Sequence, residues 1–267
     1  MAVLTVSREF GSGGREIGRA VADSLGYAYV DKESILRHLK GAGGKWEDWG
    51  KGLDEHCPTV WEKYDRSFKV FAALIQEAVL EQAFQDRVVI MGRGGNYILE
   101  GLPHVFRIRV VAPLEIRVDR IVTRDSLDRE TAVYLAQKTD RDRDCFIYTM
   151  YGRRWDAADG YDAVYDMANQ SVDEVSAAVR EALLARESLL TEEVKGLLRL
   201  RTAAAKLKVG LYSNRSFFIP TLDVATDGSS LILTGIIHNP GEHRKVEEEA
   251  RRLAGDIPLK CILHYRR

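Results

Sequence analysis

Val3-Leu4-Thr5-Val6-Ser7-Arg8-Glu9-Phe10-Gly11-Ser12-Gly13-Gly14-Arg15-Glu16-Ile17 opens the chain with an apolar run, three glycines within four residues, and a helical pattern continued by Ala20, Val21 and Leu25. A strand that passes through a glycine turn into a helix reads as a phosphate cradle. Glycines let backbone N–H groups approach an anion, and the helix adds the positive end of its dipole. The P-loop pattern of Gly, four residues, Gly-Lys and a hydroxyl residue is not met. Arg8 stands at the first glycine, Gly14 at the lysine and Arg15 at the hydroxyl. Taken alone, a glycine turn that merely joins a strand to a helix is the alternative.

Working outward, short apolar runs at 3–6, 28–30, 88–91 and 105–111 have the character of buried parallel strands. Helical patterns fall between and after them, at 16–25, 32–39, 60–84, 114–122, 129–138 behind Asp128, and 172–190. This alternation predicts a three-layer α/β domain built on a parallel sheet, with its ligand at the carboxyl ends of the strands. Asp31 ends the second strand and Gly92-Arg93-Gly94-Gly95-Asn96 follows the third, while Arg117 and Arg120 lie one turn apart on the helix after the fourth. The run Asp140-Arg141-Asp142-Arg143-Asp144 reads either as a solvated helix surface or as a mobile lid whose arginines close over transferring phosphates.

At 267 residues the chain is long enough for more than one domain, and 45% hydrophobic with 30% charged residues is ordinary for a globular protein. No apolar run approaches the roughly 18 residues that span a bilayer, and no signal-peptide pattern precedes the glycine loop, so a cytoplasmic location is expected. Cys57, Cys145 and Cys261 are far apart and odd in number, which predicts neither a disulfide nor a zinc site. The net charge of -1 hides an asymmetry: residues 1–194 carry 26 basic and 33 acidic side chains, residues 195–267 carry 13 and 7. Two domains of opposite sign are expected, at 1–190 and 191–267.

The last part of the chain changes style. A basic helix at 193–208 precedes strands at 222–225 and 231–237 flanking Asp227-Gly228, then a helix through Val246, Ala250 and Leu253 and a strand at 259–265. This predicts a small α+β domain. Its positive balance suits an anionic ligand, a lipid surface or nucleic acid, or equally a docking face for its acidic neighbour or a second copy. Lys195, Arg199, Arg201, Lys206 and Lys208 lack the aromatic interleaving of a single-strand platform, so nucleic acid is not expected.

Taken together, Ser7 to Gly18, Tyr29-Val30-Asp31-Lys32-Glu33, Val89-Ile90-Met91-Gly92-Arg93, the stretch 110–120, Tyr151-Gly152 and Tyr161-Asp162 resemble the cytidylate kinase-like family, relatives of the P-loop nucleoside monophosphate kinases. The resemblance covers about residues 1–185 and implies a P-loop kinase fold, ATP and Mg²⁺ as cofactors, and nucleotide substrates. It places Gly11, Ser12, Gly13, Gly14 and Arg15 around the donor triphosphate, and Asp31 and Arg37 on the acceptor's sugar and phosphate. Arg93 matches the arginine of a Gly-Arg-Asp segment whose Asp is replaced by Gly94. Asp140 and Arg143 have the spacing of a lid pair, although a shift of one residue selects Arg141 and Asp142. Arg15 is the natural stand-in for the missing lysine, so Arg15, Arg93 and Arg143 are the catalytic candidates. Ser12 or water takes the place of the displaced metal-binding hydroxyl, and no metal ligand is assigned.

The stretch 46–61, with Trp46 and Trp49, falls where acceptor-binding helices lie in relatives, and its tryptophans either stack on a base or pack a core. Residues 195–267 resemble a BON domain, which implies an interaction module for a protein or small ligand. The implied activity is ATP-dependent phosphoryl transfer to a nucleoside monophosphate, CMP or dCMP first. The alternative is a nucleotide sensor that binds without efficient turnover and signals through the C-terminal module, and either form is compatible with a homo-oligomer.

Overall fold

A computed structural model describes residues 2–41, 57–59, 62, 65–217, 219 and 221–265. They fall into two compact units, Met1–Pro58 with Gln85–Leu190, and Thr59–Phe84 with Thr191–Arg267.

The first unit is built on a five-stranded, wholly parallel sheet in the order β2-β3-β1-β4-β5, flanked by helices. Its strands are β1 (Val3–Arg8), β2 (Ala28–Val30), β3 (Val88–Met91), β4 (Val105–Val111) and β5 (Ala163–Asp166). The central strands are apolar because both faces are covered: Val3, Leu4, Val6, Val89, Ile90, Ile108 and Val110 are inaccessible to solvent. Helix α1 (Gly14–Leu25) buries Ile17 and Val21 against this sheet, together with Val175, Val179 and Leu183 of a later helix. Each such side chain contributes about 1.5–3 kcal/mol of burial.

Strand β5 escapes the sequence reading. As an edge strand it alternates half-buried and exposed residues, so it lacks the apolar run that reveals its neighbours. The remaining elements of this unit are α2 (Lys32–Gly41), the single turn α4 (Gly95–Ile98), α5 (Leu114–Asp125), α6 (Arg129–Tyr151) and α7 (Val172–Leu184). Helix α6 runs thirteen residues beyond the expected end at 138, through the charged run, because Phe146 and Ile147 restore a buried face after Ala132 and Ala136.

Cys57 and Cys145, 88 residues apart in sequence, are disulfide-bonded with Cα atoms 5.4 Å apart. This overturns the expectation drawn from spacing, which cannot register that the fold returns residue 57 to the flank of α6. Cys261 is a free thiol.

The second unit pairs β6 (Thr221–Thr226) antiparallel to β7 (Leu231–Ile237) and β7 parallel to β8 (Leu259–Tyr265). Helices α8 (Glu192–Ser213) and α9 (Pro240–Ala254) cover one face over Leu207, Leu211, Leu231, Leu233 and Val246. The helix-strand-strand-helix-strand order is the one read from the sequence. Helix α3 (Arg66–Gln85) belongs here as well, whereas the sequence placed it inside an unbroken first domain. Arg66 donates to the carbonyls of Tyr212, Asn214 and Phe217, and Glu81 pairs with Lys206 at 2.7 Å. Hydropathy alone does not say which core an apolar helix joins. Trp46, Trp49 and Trp61 lie outside the described residues. Among the described residues no helix is long and apolar enough to cross a membrane.

Candidate functional site

A cavity of about 910 Å³ opens at the carboxyl ends of β1, β2 and β3, where an open parallel sheet leaves its strand-end loops to diverge. The loop after β1 forms its floor. Gly13 caps α1 with φ of 94°, a left-handed conformation open to glycine at little cost, and it starts the helix so that its first N–H groups face the cavity. Beneath the loop Arg120 of α5 donates to the carbonyl of Ser12 at 2.7 Å. Ser12 is fully buried, lines the cavity, and its Oγ has no hydrogen-bond partner among the described residues. A buried hydroxyl left so costs about 1–3 kcal/mol, which a phosphate or hydrated cation at the loop would relieve.

The second wall is the turn after β3. Gly92, Arg93 and Gly94 all have positive φ, 70°, 60° and 69°. For arginine that conformation costs about 1–2 kcal/mol, and it turns a side chain that is only 2% exposed toward the cavity. A Cβ at Gly94 would lie 2.1 Å from the ring of Tyr151, whose hydroxyl donates to the Arg93 carbonyl at 2.8 Å. Tyr151 therefore stands where a side chain at 94 would project. A recess of about 20 Å³, the size of one water, remains between Arg93, Arg143 and Trp155.

The third wall is α6, whose charged run is not merely a solvated face. Asp140 accepts from the Phe10 N–H at 2.9 Å and from Arg117 at 2.6 Å. Arg143 donates to the Arg8 carbonyl at 2.8 Å, while Arg141 is exposed and Asp142 pairs with Lys138 at 2.7 Å. The three-residue register, Asp140 with Arg143, is thus the one that faces the loop. Arg117 is a staple: it also donates to the carbonyls of Ala112 at 2.9 Å and Phe10 at 3.2 Å, and lies 3.5 Å from Glu9.

Of the residues named from the sequence, Gly11, Ser12, Gly13, Gly14, Arg15, Asp31, Arg93 and Arg143 line this one cavity. Asp140 touches the loop backbone rather than the open space. Arg37 is not among the lining residues: it is exposed and donates at 3.0 Å to Ser34 Oγ, which in turn donates to Asp31 at 3.2 Å, and Arg141 faces solvent. Asp31 caps the first turn of α2, accepting from the Ser34 N–H at 3.1 Å. Arg8, Lys32, Arg120 and Arg124 also line the cavity, although sequence reasoning gave none of them a role there. Signals existed for Arg8, at the first position of the phosphate-loop pattern, and for Arg120, one turn from Arg117 on the helix after the fourth strand. Cations outnumber the carboxylates of Glu9, Glu16, Asp31, Asp119 and Asp125 on the walls, seven to five, a modest positive balance toward an anionic ligand. Burial pushes the phenol of Tyr29 up, against the opposing charge of Arg8, Arg15 and Arg19, so this cavity residue stays neutral. The guanidinium of Arg124 holds the Asp125 carboxyl below its ordinary range.

Comparison with known proteins points the same way. The chain is 26% identical over 189 residues to a cytidylate kinase of Methanopyrus kandleri, spanning 68% of this chain and 92% of that one. It is 25% identical over 183 residues to a cytidylate kinase of Methanocaldococcus jannaschii, spanning 68% and 97%. A crystal structure of an uncharacterized protein from Eubacterium ventriosum superposes with a TM-score of 0.54 over 69% of this chain and 99% of its own, at 18% identity, and shares the fold. The model of the Cytidylate kinase-like family matches residues 3–169, a span that takes in the glycine loop, the Arg93 turn and helix α6, and the chain belongs to that family.

Proposed function

We propose that the protein transfers the γ-phosphoryl group of ATP to a nucleoside monophosphate, with CMP and dCMP the first acceptors to test. The observation that carries this reading is the single cavity in which the loop amides, Arg93 and Arg143 face one another. In the transfer, an acceptor phosphate oxygen bonds to the γ-phosphorus as the bond from that phosphorus to the bridging oxygen breaks, and ADP leaves with the electron pair. The protein need supply no nucleophile. Its part is to align the two nucleotides and to place fixed positive charge where charge spreads in the loose transition state. The backbone N–H groups of Gly11, Gly13 and Gly14 hold the donor phosphates, that of Ser12 being given to the Glu9 carbonyl at 3.2 Å, while Arg93 and Arg143 flank the transferring group, Asp31 meets the acceptor, and Arg15 grips phosphate from the rim. Mg²⁺ fits here: Ser12 Oγ is the buried donor the loop offers, and the ion would neutralise phosphate charge when bound. Residues 191–267, BON-like in their order of elements, regulate or localise this activity through a protein or small-ligand partner.

A coupled assay of ADP formation from MgATP with CMP, dCMP, UMP, AMP and dTMP in turn tests this reading, alongside calorimetry of MgATP binding. Acceptor-dependent ADP release is expected. Heat of binding without ADP release from any acceptor would replace the kinase by the sensor reading, and no heat at all would remove both.

A further inference from the structure

Two of the three departures of the glycine loop from the P-loop pattern are one departure. The pattern has a glycine at position 8 and a lysine at position 14; this chain has Arg8 and Gly14. A Cβ built at position 14 would lie 2.6 Å from Cβ and 3.1 Å from Cγ of Arg8, and 3.2 Å from Cβ of Val110. Carbon atoms not bonded to one another settle at about 3.5–4.0 Å. The stem of Arg8 therefore fills the space in which a lysine at 14 would begin, and the two positions exclude each other's side chains. Only one can carry the cation.

Arg8 is well placed to be that one. It is the last residue of β1, in register with Val110 of the neighbouring strand, and its carbonyl is held by Arg143, so its side chain leaves from a fixed strand end. It lines both the main cavity and the recess beside Arg93 and Arg143. Arg15 starts from the helix side and is exposed at the rim, where its charge reaches Asp125. We propose that Arg8, not Arg15, supplies the cation that a lysine provides in other P-loops, reaching the donor's β- and γ-phosphates from the strand end, and that Gly14 is glycine because Arg8 needs its space. This rests on the phosphotransfer reading above. Arg8 stays protonated throughout, so it moves no proton. Its planar fork spans two phosphate oxygens where an ammonium is a point charge.

A reciprocal swap tests this in the full chain, reading MgATP affinity by calorimetry, acceptor-dependent ADP formation, and thermal unfolding. Arg8→Met is expected to lower kcat/KM about 10²-fold or more, the scale for removing one charged transition-state contact, and Arg15→Met to lower it less. Gly14→Lys alone is expected to unfold at lower temperature, through its collision with Arg8. Arg8→Gly/Gly14→Lys is expected to regain that temperature and to recover at least tenfold of the activity lost in Arg8→Gly. The assignment is overturned if Arg8→Met turns over within threefold of wild type, if Arg15→Met is the more damaging change, or if the double variant recovers neither stability nor activity. Should wild type bind no MgATP, the phosphotransfer reading falls and this assignment with it. Binding that is indifferent to Arg8 sinks the assignment alone.

Discussion

The two units bury different things. In the first, Ser7, Ser12, Arg93, Asn96, Arg109 and Arg117 are all buried near the carboxyl ends of the strands, three of them permanently charged. In the second, the buried polar side chains among the described residues are Thr202 and Ser230, hydroxyls that donate to the Leu198 carbonyl at 2.8 Å and to Asp227 at 2.9 Å. Buried guanidinium groups oppose folding unless paired, and here Arg109 and Arg117 are held by the carbonyls of Trp155, Ala112 and Phe10 and by Asp140. The contrast is one of interiors: the first unit holds charge inside at a cost, and the second buries only hydroxyls among its described polar side chains.

The strongest way to break this contrast is to remove a buried charge. Arg117→Met leaves Asp140 and Glu9 facing each other without their shared cation, and it should lower stability by about 3 kcal/mol or more, measured by denaturant unfolding. A loss under 1 kcal/mol would mean that the staple is ornamental. Next in size is Gly94→Ala, which forces a Cβ into the ring of Tyr151 at a φ of 69° and should cost about 2 kcal/mol. Tyr151→Ala in the same chain should return much of that loss; a purely additive double variant would show that the two residues do not compete for space.

The second unit should respond weakly. Burial, helped by Glu81, pushes the Glu77 carboxyl up, so its ionised form opposes folding. The cost is absent below the unfolded value of about 4.3 and complete above the raised folded value. Glu77→Gln should therefore raise the unfolding temperature at pH 7 and leave it unchanged near pH 4, which a pair of thermal scans would check. Smallest of all, Asp227 accepts from Lys260 at 2.7 Å and from the N–H groups of Ser229 and Ser230, which hold its carboxyl well below the ordinary range. Its contribution is present above the unfolded value of about 3.9 and fades as pH falls through the folded one. Asp227→Asn should cost a little at pH 7, less in high salt, and nothing in strong acid; a large, salt-independent loss would contradict a surface turn.

Much of this was legible in the sequence for a physical reason. Buried parallel strands and strand-end loops leave dense local marks, and the four apolar runs and the glycine turn are where the structure has them. The second unit's order of elements was equally plain, because its strands are separated by Asp227-Gly228 and a well-capped helix. What escaped reading depends on distance in space. Strand β5 carries no apolar run, Cys57 meets Cys145 only through the fold, and Arg37 falls outside the cavity although its spacing from Asp31 fits. The register of the charged run is set by Phe10, whose N–H donates to Asp140, and by Arg8, whose carbonyl accepts from Arg143, contacts that spacing does not carry. The cation count at the site was underestimated because Arg8 ends β1 while Arg120 and Arg124 come from α5, more than 100 residues later in the chain.

Helix α3 precedes most of the first unit in the chain yet takes its partners from residues beyond 191. A ribosome therefore releases an apolar helix long before its partners on α8 and the segment after it exist, and for that interval it is a candidate for chaperone capture. The same crossing means that no single cut frees a self-contained kinase half. Stopping at residue 190 strands Phe68, Phe71 and Leu74 without the rest of their unit, and such a fragment should come out of expression as aggregate.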